Sequence, residues 1–286
     1  MDRITQRAYA KLNLTLGVLY KRRDGYHALD SIMQSIDLFD TVTVERASDV
    51  LVTSTGMLLP FDSTVRRAVE KYRALTGRGA HVRVEKRIPA EAGMGGGSAD
   101  AAATLTGMQT LYGEVDEPTL MELGAAVGAD VPFCMRGGLQ RAEGIGEVLT
   151  PLNGPKLNFV VVKPAQGVST KRLFSMLKLP RSMPDTAGCI KALASGDVPA
   201  VAKLLFNALE EPAIELVPEI GTAKRALLDA GALNAGMSGS GSAVFGLFPD
   251  EDSAQEACAR LDGFAFARVC RSVWSAVPGG CATLPR

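Results

Sequence analysis

The residues with the clearest capacity for chemistry lie between Pro89 and Leu105, in the run PAEAGMGGGSADAAATL. Gly93, Gly95, Gly96 and Gly97 place four glycines within five positions. Such a loop has almost no side chains to keep a ligand away from its backbone. Glycine also reaches positive φ without steric cost, so successive N–H groups can converge on one point. Ser98 and Asp100 offer N-cap oxygens, and Ala101, Leu105, Met108 and Tyr112 recur at helical spacing before Gly113. That spacing predicts a helix opening at the loop. A glycine loop feeding a helix N-terminus attracts anions, because free N–H groups and the helix dipole both favour negative charge. The pattern is neither GxxxxGK[ST] nor GxGxxG after a strand, and glycine clusters also make plain turns. The chemistry it offers is the cradling of nucleotide phosphates.

The elements around the loop follow from periodicity. Over residues 10–18, Leu12, Leu14, Leu16 and Val18 face one way and Lys11, Asn13 and Thr15 the other, which predicts a strand. Its second face lines up an amine, an amide and a hydroxyl; on an isolated strand that is simply the wet side. Asp24-Gly25 marks a turn, with Tyr26 and His27 just beyond it. A ring and an imidazole there can stack on and hydrogen-bond a planar ligand, or Tyr26 can pack on the base of its own hairpin. Strands are predicted at Val42 and Val44 and over 50–53, with a helix over 63–75 that turns Val65, Ala68, Val69 and Tyr72 inward. Val82, Val84, Lys86 and Ile88 then alternate into the glycine loop. After the loop's helix comes another, with Asp116 as cap, Pro118 in its first turn and Gly128 at its end. Val131 precedes Pro132 and is biased toward extended backbone. Asp130 is therefore expected at a turn between helix and strand, where its carboxylate caps local backbone or faces a cleft.

Residues 150–156, TPLNGPK, read as a linker. Beyond it we expect a strand over 157–162, a helical start at Val168-Ser169-Thr170 with Phe174, and helices near 199–209 and 216–230. A second glycine loop, 236–242, runs into a strand over 243–248, then a helix over 252–261 and a strand over 265–274. Strands alternating with helices in this half predict an α+β sandwich with helices on one side of its sheet.

The chain has 286 residues, enough for one large domain or two ordinary ones, with 47% hydrophobic and 22% charged residues. Its 31 basic residues balance 31 acidic ones, which argues against nucleic acid or an anionic membrane as partner. Apolar runs such as 159–162 are too short to span a bilayer, and the polar stretch MDRITQRAYAK predicts no signal peptide. Cys134, Cys189, Cys258, Cys270 and Cys281 are odd in number and never in CxxC spacing. That disfavours a disulfide framework or a zinc site and suits a reducing compartment. With only His27 and His81, a histidine-built metal centre is not expected.

Three stretches in order, AKLNL at 10–14, PAEAGMGGGSADAA at 89–102 and GMSGSGSAVFG at 236–246, resemble the GHMP kinase superfamily of small-molecule kinases. DGYH at 24–27 and GADVPF at 128–133 are similar to the branch of it whose acceptor is cytidyl-diphosphate methylerythritol. The resemblance runs essentially end to end. It implies an α+β, two-domain GHMP kinase fold: a ribosomal-S5-like N-terminal domain over 1–153 and a ferredoxin-like α/β sandwich over 154–286. It implies a cytoplasmic enzyme using ATP and Mg²⁺ to phosphorylate the 2-hydroxyl of that small molecule, on the non-mevalonate route to isoprenoid precursors. It further implies a monomer or homodimer with no nucleic-acid or membrane partner.

Carried over by position, Lys11 and Asp130 match the family's catalytic pair. Pro89, Ala90, Glu91, Ala92, Gly93, Met94, Gly95, Gly96, Gly97, Ser98 and Ala99 match its ATP phosphate loop, and Lys86 falls where a lysine reaches the ribose side. Tyr26, His27 and Phe174 match a cytosine pocket in which two rings sandwich the base and the imidazole reads its edge. Asn13 and Thr170 lie where the family holds the methylerythritol. The loop at 236–242 is the third motif, packed beside the first. Ser98 is placed to contact phosphate or Mg²⁺, with no residue assigned as a direct metal ligand. Tyr9 stands where the family usually has proline, and Ser63-Thr64 about where an Asn-Leu pair meets adenine. A homoserine- or mevalonate-type kinase would share the glycine and lysine motifs without needing the aromatic–imidazole pair. A non-catalytic RNA-binding relative of the N-terminal topology is disfavoured by neutral charge and by the presence of Lys11 and Asp130.

Overall fold

The alternation at 10–18 belongs to a much longer strand. In the computed structural model, which describes residues 1–177 and 182–274, β1 spans Arg3–Lys21 and pairs antiparallel with β2, His27–Ala47. The Asp24-Gly25 turn joins them, with the Tyr26 N–H donating to Asp24 Oδ1 at 3.1 Å. Irregularities interrupt the ladder between Tyr9 and Lys11 and between Asn13 and Thr15. Bulges of this kind re-aim side chains. They do so here without leaving the strand open: Thr15 Oγ1 accepts from the Ile32 N–H at 3.0 Å, repairing the ladder.

β2 changes partners along its length. Residues 41–47 pair with β4 (Gly79–Glu85), and residues 29–34 pair with β5 (Leu139–Gly144), which in turn pairs with β6 (Val148–Pro151). β3 (Val50–Thr55) lies parallel to β4 on its outer side, with α1 (Thr64–Thr76) as the crossover. Ser63 caps α1, and Val65, Ala68, Val69 and Tyr72 are its buried residues, as the spacing predicts. α2 (Gly96–Tyr112) packs on β1 and β2 in the same layer as α1, α3 (Glu117–Val127) and α4 (Val131–Arg136). Asp116 caps α3 and Gly128 ends it.

A second, antiparallel sheet has the order β11-β7-β10-β9, from Phe266–Arg271, Asn158–Lys163, Val244–Phe248 and Asn234–Met237. Val160, Val162, Val244 and Phe248 face α9 (Glu219–Asp229) and α10 (Glu251–Cys258). Phe159, Val161, Phe245 and Leu247 share a core with Leu12, Leu14, Ile32 and Leu38 of the first sheet, closed by α6 (Thr186–Ser195) and α7 (Val198–Lys203). The irregular segment 152–157 connects the two sheets. The second half also returns to the first: β8, Phe206–Asn207, runs parallel to β1 at Thr15 and Leu16.

Several expectations are corrected. Ser98 and Asp100 are not N-caps, because α2 already begins at Gly96 with Gly95 in the cap position at φ 70°, and no side chain caps it. Val131 does not start a strand. Pro132 sits in the first turn of α4, where its missing N–H removes no helical bond, so Asp130 lies between two helices. The strand entering the glycine loop stops at Glu85, short of Lys86 and Ile88. The helix expected over 199–209 ends at Lys203, and the chain turns into β8 and then α8 (Glu210–Leu216). α6 carries no expectation from the sequence, and neither does the first half of β2. Cys134, Cys189, Cys258 and Cys270 are free thiols; Cys281 lies outside the described residues. Burial pushes the Cys134 and Cys270 thiols well up, and that of Cys189 to about 12.

Candidate active site

Sheet, loop and helix start meet around a cavity of about 1210 Å³. Its floor is the glycine loop. Gly93 and Gly95 hold φ of 69° and 70°, and a Cβ on Gly93 would lie 2.0 Å from the Ser238 carbonyl oxygen. The second loop therefore packs directly on the first. Their main chains are laced together, the Ser242 N–H donating to Glu91 O at 3.0 Å and the Ala243 N–H to Ala92 O at 3.2 Å. With no side chain capping α2, the first-turn N–H groups at Gly96, Gly97 and Ser98, which line the cavity, are available to an anion.

Lys11 and Asp130 stand beside that helix start. Lys11, its side chain 4% exposed, extends to within 3.6 Å of Asp130 Oδ2, while Asp130 is 31% exposed. The Lys11 ammonium also donates to Asn13 Oδ1 at 2.5 Å, and Asn13 Nδ2 donates to Ser31 Oγ at 2.8 Å. The polar face of β1 is thus buried rather than wet. A Cβ on Gly95 would sit 3.2 Å from Lys11 Cγ and 3.8 Å from Asp130 Oδ2, and one on Gly239 would sit 3.0 Å from Lys11 Nζ. Both glycine loops therefore close on this pair, and a side chain at either would intrude on it.

Lys86 also lines the cavity, but its ammonium is engaged. It bonds Asp40 and, at 2.7 Å, Asp100, with all three side chains at or below 5% exposure. Burial alone would lower the Lys86 pKa, and Asp100 and Asp40 overcome it, leaving it raised. Burial, with Asp40 adding to it against Lys86, lifts Asp100 to about 7. The Lys86 ammonium keeps its third donor and lies near Gly96.

At the far end, His27 and Phe174 are in ring contact, with centroids 4.9 Å apart and planes tilted by 30°. Tyr26 is 60% exposed at the hairpin tip. It therefore does not pack away at the hairpin base and is open to a ligand. Burial and then the nearby Lys21 charge hold the His27 imidazole below its ordinary pKa, so it is neutral near pH 7. Thr170, the first residue of α5 (Thr170–Met176), shares a hydrogen bond of 2.7 Å with Ser240 of the second loop.

One cavity thus brings together every site residue expected from the sequence save Ala99, which is buried in the α1–α2 core. Sequence reasoning missed the carboxylates on Lys86, since Asp40 precedes it by 46 positions and nothing in the spacing joins them. It also missed Met57 and Leu59, which line the same cavity as the loop start and give it an apolar wall. Their only signal is an apolar pair in a stretch, GMLLPFD, that reads as loop. Among the described residues no group of three His, Cys, Asp or Glu side chains is placed to hold a metal ion, and no helix is long and apolar enough to cross a membrane.

This fold and site are those of a phosphotransferase built on two glycine loops, and the chain belongs to the GHMP kinase family. The model of the GHMP kinases N terminal domain matches residues 63–138, and that of GHMP kinases C terminal matches residues 189–267. Within the family, the chain is 43% identical over 274 residues to a 4-diphosphocytidyl-2-C-methyl-D-erythritol kinase of Acetivibrio thermocellus, covering 92% of this chain and 95% of that one. A kinase of the same name from Caldicellulosiruptor saccharolyticus is 40% identical over 268 residues, 90% of this chain and 92% of that one. A crystal structure of 4-(cytidine 5'-diphospho)-2C-methyl-D-erythritol kinase superposes with a TM-score of 0.80 at 34% identity, over 94% of this chain and 99% of that one. A homoserine kinase from Cytophaga hutchinsonii, with a TM-score of 0.76 at 19% identity over 97% of this chain and 96% of its own, shares the fold.

Proposed function

We propose that this chain transfers the γ-phosphoryl group of ATP to the 2-hydroxyl of 4-diphosphocytidyl-2-C-methyl-D-erythritol, giving the 2-phosphate and ADP on the non-mevalonate route. The observation that carries the reading is the placement of Lys11 and Asp130 against the uncapped start of α2, with Tyr26 and His27 at the other end of one cavity.

The 2-hydroxyl is held between the pair and the γ-phosphate, near Asn13 and Thr170. Asp130 accepts its proton as the new O–P bond forms and the bond to the ADP oxygen breaks. A carboxylate is a far weaker base than an alkoxide, so the proton moves late, as the bond to phosphorus forms. Lys11 stabilises the charge that develops on the attacking oxygen. The N–H groups of Gly96, Gly97 and Ser98 and the α2 dipole meet the charge on the transferring group. The Ser98 hydroxyl would help to hold a Mg²⁺ ion arriving with the nucleotide, and that ion would supply further charge neutralisation. Lys86 offers its remaining donor to the ribose side. Tyr26 and Phe174 stack the cytosine, and the neutral His27 reads its edge through one ring nitrogen, which requires Phe174 to part from His27 as the base enters. Free thiols and balanced charge support a cytoplasmic enzyme. A site formed within one chain suits a monomer or a homodimer.

The test is ATP consumption by the purified protein with Mg²⁺, offering the cytidyl acceptor beside homoserine and mevalonate. Turnover on the cytidyl compound alone, with a new phosphate monoester in the phosphorus NMR spectrum, is expected. Turnover on another alcohol would keep the ATP site and overturn the reading of Tyr26, His27 and Phe174.

A further inference from the structure

The phosphate loop is a glycine-rich segment, and glycine-rich backbone loses much conformational entropy when it is fixed. Something must hold its two ends at a set distance. Asp40, fully buried on β2, reaches both. Its Oδ1 accepts from the main-chain N–H groups of Arg87 and of Ile88, the latter at 2.8 Å, fixing the entry to the loop just before Pro89. Its Oδ2 accepts from the Lys86 ammonium, which passes on to Asp100 in the second turn of α2 at 2.7 Å. The chain Ile88–Asp40–Lys86–Asp100 therefore spans the base of the loop from entry to exit.

The arrangement is more than a simple ion pair, because the second carboxylate is held only by lifting Asp100 to about 7. Two carboxylates share one ammonium in a nearly dry place, and Asp100 Oδ1 has no hydrogen-bond partner among the described residues. A buried cluster of two carboxylates and one ammonium adds little to stability by itself, since desolvation offsets the attraction. Asp40 pairs with Ala8 of β1 and stands one residue before the β4 ladder begins at Thr41 and Glu85, which brings it beside the 86–88 backbone.

We infer that Asp40 is a positioning residue for the nucleotide: acting through Lys86, Asp100 and the 87–88 backbone, it sets the width of the ATP phosphate loop. The inference rests on the reading of 89–99 as that loop, and its test separates the two. Asp40→Asn keeps the side chain's size and its acceptor for Arg87 and Ile88 but turns N–H donors toward the Lys86 ammonium. The KM for ATP and the Kd for ADP by calorimetry are expected to rise roughly ten-fold, the scale of a lost charged hydrogen bond. The kcat at saturating ATP and the KM for the cytidyl acceptor are expected to stay within about two-fold, because the Lys11–Asp130 pair is untouched. Amide hydrogen exchange is expected to quicken over 87–99 and not over 236–242. Unchanged ADP affinity, or kcat and both KM values worsening together, would overturn the inference. If Asp40→Asn does not fold, Asp100→Asn tests the other end, since it leaves a neutral Lys86–Asp40 pair; it is expected to weaken ADP with no loss of melting temperature, and unchanged ADP affinity overturns the clamp. Failure of the unmodified protein to phosphorylate the cytidyl acceptor while binding ADP would strike the proposed activity and leave the clamp to be judged by ADP affinity.

Discussion

Lys11 and Lys86 are both all but buried along one cavity, yet the molecule treats their charges in opposite ways. Lys11 has one carboxylate, at 3.6 Å and partly exposed, and an amide at 2.5 Å. Lys86 has two carboxylates, both fully buried. A charge left with a loosely held partner can respond when a substrate hydroxyl comes between them. A charge held between two buried carboxylates keeps architecture in place. The same residue type serves chemistry in one corner and geometry in the other, and the partners decide which.

The largest effect should come from the responsive corner. Asp130→Ala is expected to lower kcat by ~10²–10⁴, the range for losing a general base, while calorimetry finds ATP affinity almost unchanged. Loss of ATP binding with activity would erase the distinction between the corners. Next comes the floor they share. Gly93→Ala puts a Cβ into the Ser238 carbonyl at φ 69°, so the interloop lacing must open. At least ~1–2 kcal/mol of stability should go from the left-handed backbone alone, with a drop in melting temperature and in ATP affinity; a variant as stable and active as the parent would show the loops to be independent.

Away from both lysines, Tyr26→Ala should weaken the cytidyl acceptor by ~1–3 kcal/mol, the scale of base stacking on a ring, read as a raised KM with ATP parameters unmoved. The smallest effect concerns pH. Because burial and Lys21 lower the His27 pKa, the imidazole takes its proton only below the usual ~6.5. The acceptor KM, taken as a ratio to that of His27→Gln, should stay flat from alkaline pH through neutrality and climb only below that value. A climb already at pH 7 would mean that His27 is charged in the resting protein.

Much of this was legible in the residues because it was local. The glycine runs, the Lys11–Asn13 alternation and the cap at Asp116 are signals a few positions long, and each lies where its pattern puts it. What escaped was decided by distant partners. Asp40 looks like any polar strand residue until β4 and α2 fold over it. Val131 obeyed the first-turn tolerance of α4 for proline instead of the extended bias before Pro132. The run at 199–209 has helical spacing, but β1 recruits Phe206 and Asn207 as a strand and breaks it.

The length of β2 has a consequence for how this sequence can vary. His27 begins the strand and Asp40 lies further along it, so base pocket and phosphate loop are both measured off one run of backbone. An inserted or deleted residue between them would turn every later side chain to the opposite face, carrying Asp40 away from the loop and Leu38 out of the core. Related chains are expected to place their length differences elsewhere and to keep this stretch of strand free of gaps.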